Sequence, residues 1–297
     1  MWQQLFSEAK NNQIKSLARL ISLVENKQAG YIAFLQSLPQ GTTGVVGITG
    51  PPGAGKSTLT DALIEALVAQ NKKVAVLCVD PSSPFNLGAL LGDRIRMADW
   101  YNHPNVFIRS LATRGSLGGL HPQIIEITDI LKAVGFDLII VETVGVGQSE
   151  IEIAGLADVT VVVVVPEAGD EVQTMKAGLM EIADLFIVNK ADRPDAEIFV
   201  RNLRQMLAPA FHRSKQEIEV IKTIAHQKEG IDFLLAAIEK CLQHAETNDK
   251  KLWLLTEKAW QLIQHKRMAD INKADLKLLL EKELSATNNI YKIVERF

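Results

Sequence analysis

Residues 47–58 read GITGPPGAGKST, and residues 50–57 within them fit the pattern G-x-x-x-x-G-K-[ST]. An apolar run precedes the pattern (Val45, Val46, Ile48), and Leu59, Leu63 and Leu67 follow it at helical spacing, which puts it on a strand-to-helix turn. That context gives the residues their chemistry. Glycines at 50, 53 and 55 let backbone N–H groups turn inward, the start of a helix adds partial positive charge, and the Lys56 ammonium can reach outer phosphates. The Ser57 hydroxyl is of the type that ligates Mg²⁺. The stretch therefore reads as a phosphate-binding loop, with Gly50, Gly53, Ala54, Gly55, Lys56, Ser57 and Thr58 as its binding residues.

Outward from the loop, short β-branched runs at 44–49, 73–79, 106–111, 137–141, 159–165, 185–188 and 219–224 alternate with helical patterns. Such alternation implies a parallel sheet covered by helices on both faces. The expected fold class is α/β: a P-loop NTPase with a mostly parallel central sheet flanked by helices. Residues 1–42 form a helical N-terminal extension in this reading, with Ile14, Leu17, Leu20, Ile21 and Val24 at helical spacing before a break at 39–44. Residues 43–246 form the nucleotide domain. Residues 247–297 form a helical C-terminal arm, with helices expected at 248–268, 273–284 and 290–297.

The 297 residues carry a net charge of −3 with scattered basic side chains, so no nucleic-acid footprint is expected. The longest apolar runs, such as 159–165, are far too short to span a bilayer, and the amino terminus lacks the features of a signal peptide. The expectation is a cytoplasmic protein with no membrane association. Two cysteines, Cys78 in a strand and Cys241 on a helix, make neither a disulfide framework nor a metal cluster and read as packing residues.

Three further places carry chemistry. At the end of the 185–188 strand, Asn189, Lys190 and Asp192 fit Asn-Lys-x-Asp. A carboxylate there accepts hydrogen bonds from the ring N–H and exocyclic amine of guanine, whereas adenine offers a lone pair and leaves the acid unpaired. In DLIIVETVGVGQSE, residues 137–150, a buried strand ends in Glu142 and then reaches Gly145 and Gly147. That order suits a γ-phosphate sensor: Glu142 on Mg²⁺ directly or through water, and the Gly145 N–H on the terminal phosphate. Gln148 is either the residue that orients the attacking water or a surface amide. Asp80, at a strand end before Pro81, is either a turn cap or a residue that faces the metal or the water. Spacing alone does not assign Asp93 and Arg96.

With these motifs in this order, the chain resembles the MeaB/ArgK/MMAA family of GTPases, of the SIMIBI class of P-loop proteins, over about residues 17–240. The likeness rests on LARLISLVEN (17–26), GITGPPGAGKSTL, VDPSSP (79–84), GDRIRM (92–97), FIRSLATRGSLGGL (107–120), ETVGVGQSE and NKAD. The resemblance implies that Lys56, Ser57, Asp80, Asp93 and Glu142 surround Mg²⁺ and the phosphates of GTP or GDP and form the catalytic set, and that Arg96 belongs to the first mobile switch. It implies a role as chaperone for an adenosylcobalamin-dependent methylmalonyl-CoA mutase, with a cobalamin adenosyltransferase as a candidate further partner. It also marks PEAGDEVQTMKAG, residues 166–178, as an additional switch with Lys176 as a mutase contact. The residues by themselves read there as a loop ending in Asp170 as helix cap, followed by a buried face of Val172, Met175, Leu179 and Ile182. Glu167 departs from the family, in which a glycine follows Pro166. The family's C-terminal helices form a dimerisation arm, and Trp253 and Trp260, seven residues apart, suit either a homodimer interface or an internal core.

Two other readings compete. One is an ATP-dependent kinase of a lysine/arginine/ornithine transport system, against which the guanine-reading tetrapeptide argues. The other is a metallochaperone GTPase, against which six dispersed histidines argue. Pro51 stands where ATPases that dimerise across the nucleotide carry a second lysine, and the tail lacks the methionine-rich helices of a signal-recognition GTPase.

Overall fold

The computed structural model describes residues 1–80, 97–113, 120–143, 149–166, 177–211, 218–244, 249–268, 271–287 and 290–294. The chain divides into two compact units, Met1–Lys251 and Leu252–Phe297. In the first, the strands are β1 (Gly44–Thr49), β2 (Val74–Asp80), β3 (Val106–Ala112), β4 (Leu138–Glu142), β5 (Val159–Val164), β6 (Leu185–Val188) and β7 (Glu219–Lys222). They form one sheet in the order β3-β2-β4-β1-β5-β6-β7. Every pairing among the described strands is parallel, so the sheet that the sequence suggested as mostly parallel is parallel throughout them. The reason lies in the runs themselves. β2, β4, β5 and β6 are buried at every position, as strands covered on both faces must be. The edge strand β7 is short and exposes Glu219 and Lys222, which discourages pairing with another chain.

The helices of this unit are α1 (Trp2–Lys10), α2 (Ile14–Glu25), α3 (Tyr31–Gln36), α4 (Lys56–Ala69), α5 (Ile124–Val134), α6 (Ser149–Leu156), α7 (Ala177–Ile182), α8 (Ala196–Phe211) and α9 (Ile231–Gln243). On α2 the helical stripe is buried at Leu17, Leu20, Ile21 and Val24, each contributing about 2 kcal/mol by leaving water, while Ile14 is half-buried at the helix start. α2 packs against α1 and α5, and its Glu25 pairs with Arg109 of β3, so the N-terminal helices form one unit with the sheet. Leu179 and Ile182 of α7 are buried, as their spacing predicts, whereas Asp170, Val172 and Met175 lie outside the described residues.

The C-terminal helices are α10 (Asp249–Arg267), α11 (Lys273–Thr287) and α12 (Ile290–Val294). Trp253 and Trp260 are 50% and 58% exposed. Among the described residues no helix is long and apolar enough to cross a membrane.

Sheet order positions the site. β1 lies between β4 and β5, with β2 beyond β4 and β6 beyond β5, and the parallel register brings the carboxyl ends of all five to one rim. A crevice outside the carboxyl ends of parallel strands is where open α/β sheets bind ligands.

Candidate nucleotide site

The loop between β1 and α4 turns through Gly50, Gly53 and Gly55 at φ values of +142°, +78° and +88°. Two of these positions also lack room for a side chain. A Cβ on Gly50 would lie 2.1 Å from the Val163 carbonyl oxygen, and one on Gly55 would lie 2.4 Å from Asn189 Nδ2. Gly55 is the N-cap of α4 and carries no capping side chain, so the first N–H groups of the helix keep their capacity to hold an anion. Ala54 is fully buried beneath the loop, and Thr58 is exposed on the first turn of α4. Lys56 is buried, and its Nζ donates to the carbonyls of Gly50 at 3.0 Å and Pro51 at 3.1 Å. The ammonium thus lies within the curl of the loop.

The strand ends bring the acids to this helix. Glu142 closes β4, is buried, and stands beside Ile48 on one side and Cys78 on the other. Ser57 Oγ donates to Glu142 Oε1 at 2.6 Å, and Thr60 Oγ1 lies 3.0 Å from Glu142 Oε2. Asp80 closes β2 and is buried, with its carbonyl accepting from Thr113 N–H. Next to Glu142, Thr143 donates its hydroxyl to Thr49 Oγ1 at 2.9 Å and its N–H to Ile48, tying the end of β4 to the end of β1.

Ser57, Glu142 and Asp80 offer only hard oxygen donors, the chemistry that suits Mg²⁺. Among the described residues no three or more His, Cys, Asp or Glu are grouped to hold a metal ion. A triphosphate-bound Mg²⁺ asks for less, because phosphate oxygens and water fill most of its octahedron and the protein adds one or two ligands.

At the other end of the rim, β6 is followed directly by Asn189, which is 2% exposed. Its Nδ2 donates to the Ala54 carbonyl at 2.9 Å, while its Oδ1 accepts from Thr223 Oγ1 and Ala225 N–H, both at 3.1 Å. Asn189 therefore fastens the phosphate loop to the turn after β7. Lys190 adopts φ +56°, and the Arg193 N–H bonds back to its carbonyl, closing the turn that presents Asp192 to solvent. Within one tetrapeptide the amide is internal scaffolding and the acid remains available to a ligand.

The chain that carries this arrangement is similar to known proteins. The family model described as Methylmalonyl Co-A mutase-associated GTPase MeaB matches residues 17–275. The chain belongs to the MeaB family. It is a GTPase, as its relatives are named. A GTPase of Pyrococcus horikoshii is 46% identical over 83% of this chain and 80% of its own length. The GTPase ArgK of Escherichia coli is 39% identical over 75% of this chain and 70% of its own. A fused isobutyryl-CoA mutase of Geobacillus kaustophilus is 40% identical over 73% of this chain, a match that takes up 21% of that longer protein. Among solved structures, an LAO/AO transport system kinase aligns with a TM-score of 0.68 at 27% identity, covering 96% of this chain and 93% of the other.

For the MeaB-family chain, the sequence motifs at Gly50, Gly53, Ala54, Gly55, Lys56, Ser57, Thr58, Asp80, Glu142, Asn189, Lys190 and Asp192 all fall on the described carboxyl rim or its flanking turns. Asp93, Arg96, Gly145, Gln148, Asp170 and Lys176 lie outside the described residues. Sequence reasoning missed Thr60, Thr223 and Ala225. Thr60 left a readable trace as a hydroxyl on the buried face of α4 among Leu59, Leu63, Ile64 and Leu67, whereas Thr223 and Ala225 follow a strand with no motif to mark them. Glu152 of α6 accepts a hydrogen bond from the backbone of Leu120, and burial pushes its carboxyl above the usual range against that bond. Cys78 is buried in β2, and burial together with Asp184 and Glu219 raises the Cys241 thiol, which suits the packing role read for both cysteines. A cavity of about 230 Å³ lined by Leu67, Leu138, Leu235 and Ile238 opens at the amino end of β4, away from this site.

Proposed function

We propose that this GTPase binds GTP with Mg²⁺ and uses its hydrolysis to gate cofactor loading of an adenosylcobalamin-dependent mutase of the methylmalonyl-CoA class, protecting that enzyme from damaged cofactor. The observation that carries the partner is the Geobacillus kaustophilus relative, in which a segment 40% identical to this chain belongs to a fused isobutyryl-CoA mutase. A gate and its enzyme joined in one chain act at high effective concentration, and a separate gate must find the same surface by binding.

In this proposal the N–H groups of the loop 50–58 and the Lys56 ammonium take the phosphates, and Asp192 takes the guanine edge with Asn189 and Lys190 shaping its turn. Ser57, Asp80 and Glu142, with Asp93, would hold Mg²⁺ directly or through its waters, and the ion would draw negative charge from the transferring phosphoryl group. Little covalent chemistry falls to the protein. Lys56 and the helix start stabilise charge that develops as water attacks, which makes positioning the main source of rate. Gly145 reads the terminal phosphate, Gln148 orients the water, and Arg96, Asp170 and Lys176 carry nucleotide state to the mutase. No arginine finger is assigned, so unstimulated turnover is slow. Exposed Trp253 and Trp260 with Leu252, Leu255 and Ile263 give α10 an apolar surface suited to a homodimer in the cytoplasm, with a cobalamin adenosyltransferase as a further partner.

The test is steady-state GTP hydrolysis with Mg²⁺, with and without the methylmalonyl-CoA mutase of the same organism. Stimulation by the mutase is expected; unchanged turnover and no complex would leave a guanine-specific GTPase with a different client. The name of the solved transport-system kinase favours a second reading, phosphate transfer to an amino-acid-binding protein. Transfer of labelled phosphate from ATP to such a protein would support it over the gate, whereas selective use of GTP supports Asp192 as the base reader. The likeness to a nickel-bound HypB of Helicobacter pylori, at 19% identity and a TM-score of 0.52, shows the fold alone.

A further inference from the structure

The buried face of α4 is apolar at Leu59, Leu63, Ile64 and Leu67, and Thr60 places a hydroxyl on it at 0% exposure. A hydroxyl taken from water costs free energy unless it finds a partner. Thr60 Oγ1 has two acceptors at 3.0 Å: the Lys56 carbonyl one turn back and Glu142 Oε2. It has one proton. Helical geometry already aims the Thr60 backbone N–H at the Lys56 carbonyl, and a carboxylate is the stronger acceptor of the two. Ser57, three residues earlier on the same face of the helix, donates to the other oxygen, Oε1. Glu142 is therefore held on both carboxylate oxygens by two hydroxyls of one helix.

The double hold answers a problem of chain length. A glutamate has one more rotatable bond than an aspartate, so a contact on one oxygen leaves the carboxylate plane free to swing. With both oxygens fixed, the plane is fixed. The Ser57 hydroxyl can lend a lone pair to a cation while its proton stays on Oε1, but only while Oε1 keeps its place. We propose that Thr60 is a positioning residue for the Mg²⁺ site: it acts through Glu142 and Ser57, touching neither cation nor nucleotide. The proposal rests on the Mg²⁺–GTP reading of the site.

Binding of GDP and of a non-hydrolysable GTP analogue, followed in EDTA and across a Mg²⁺ titration, tests it in the full chain. Thr60→Val removes the hydroxyl and keeps the shape. Its expected effect is about a tenfold rise in the Mg²⁺ concentration that half-saturates the tightening of nucleotide binding, the scale of one lost hydrogen bond to a charged group. Affinity in EDTA should stay within about twofold, and Thr60→Ser should return the Mg²⁺ curve to that of the wild type. A Thr60→Val curve identical to wild type overturns the proposal, as does an equal loss of affinity in EDTA, which would mark a packing defect. If Thr60→Val does not fold, the pair Thr60→Ala and Thr60→Ser carries the same comparison, and equal curves for that pair overturn it. A wild type that binds nucleotide without any response to Mg²⁺ removes the metal reading itself, a different result from a responsive wild type matched by Thr60→Val.

Discussion

A buried polar side chain closes β4 and another directly follows β6, each reaching the phosphate loop or its helix with different partners. Glu142 is held by the hydroxyls of Ser57 and Thr60, side chains that rotate. Asn189 is held by the Ala54 carbonyl, the Ala225 N–H and the Thr223 hydroxyl, two of them backbone groups that cannot move without moving the chain. The β4 end is a joint that holds the carboxylate plane until a hydroxyl changes rotamer, next to the expected metal, and the β6 end is a fixed clamp. A nucleotide switch needs both. The base must be read in a constant geometry while the phosphate end changes partners between triphosphate and diphosphate.

Lys56 lies between the two ends, so its removal should silence the molecule whichever end is intact. For Lys56→Ala we expect turnover at saturating GTP to fall about 10²- to 10³-fold, the range for losing one charge-stabilising donor. Retention of full turnover would contradict its place in the site.

The next largest effect should separate reading from holding inside the β6 end. Asp192→Asn leaves the clamp untouched but replaces an acceptor with an amide. GTP binding should weaken roughly a hundredfold, and xanthosine nucleotides, whose extra carbonyl accepts from the new amide, should gain. Competition binding with the two nucleotide series measures this, and an unchanged base preference would sink the guanine assignment.

A direct test of joint against clamp is stability without nucleotide. Asn189→Ala strands the Ala54 carbonyl, the Ala225 N–H and the Thr223 hydroxyl in a buried setting, so urea unfolding should show a loss of about 2–3 kcal/mol. Glu142→Gln keeps size and one acceptor and should cost about 1 kcal/mol or less, with its main effect on the Mg²⁺ response. The distinction collapses if Glu142→Gln proves the more destabilising of the two.

The smallest expected effect concerns the neighbour of Thr60. Asp61 Oδ1 accepts from Trp100 Nε1 at 2.7 Å, fixing the short helix Ala98–Trp100 to α4. Trp100→Phe keeps most of the ring and loses the N–H, so thermal unfolding should fall by about 2 °C, corresponding to about 1 kcal/mol. No fall would show that the contact exchanges evenly with water.

Much of this was legible in the chain. The loop, the strand before it and the helix after it follow from local rules: glycines at positive φ, an apolar run and a stripe at helical spacing. The β1 and β6 strands, 44–49 and 185–188, have the bounds that the sequence suggests. The tetrapeptide at Asn189 was legible as a motif, but its division of labour was not. That an asparagine is buried and holds a carbonyl 135 positions earlier depends on which strands are neighbours. Thr60, Thr223 and Ala225 escaped notice for the same reason, since each matters through a partner distant in sequence.

The sequence by itself determined a phosphate loop, an Asn-Lys-x-Asp turn and a parallel α/β frame, because these depend on backbone conformation and periodicity within a few residues of one another. Only the tertiary structure decided that β1 lies between β4 and β5, and with it that Glu142 meets two hydroxyls of α4 and Asn189 meets the loop backbone. Strand order is set by burying both faces of the whole sheet, a non-local free energy that no single stretch of the chain contains.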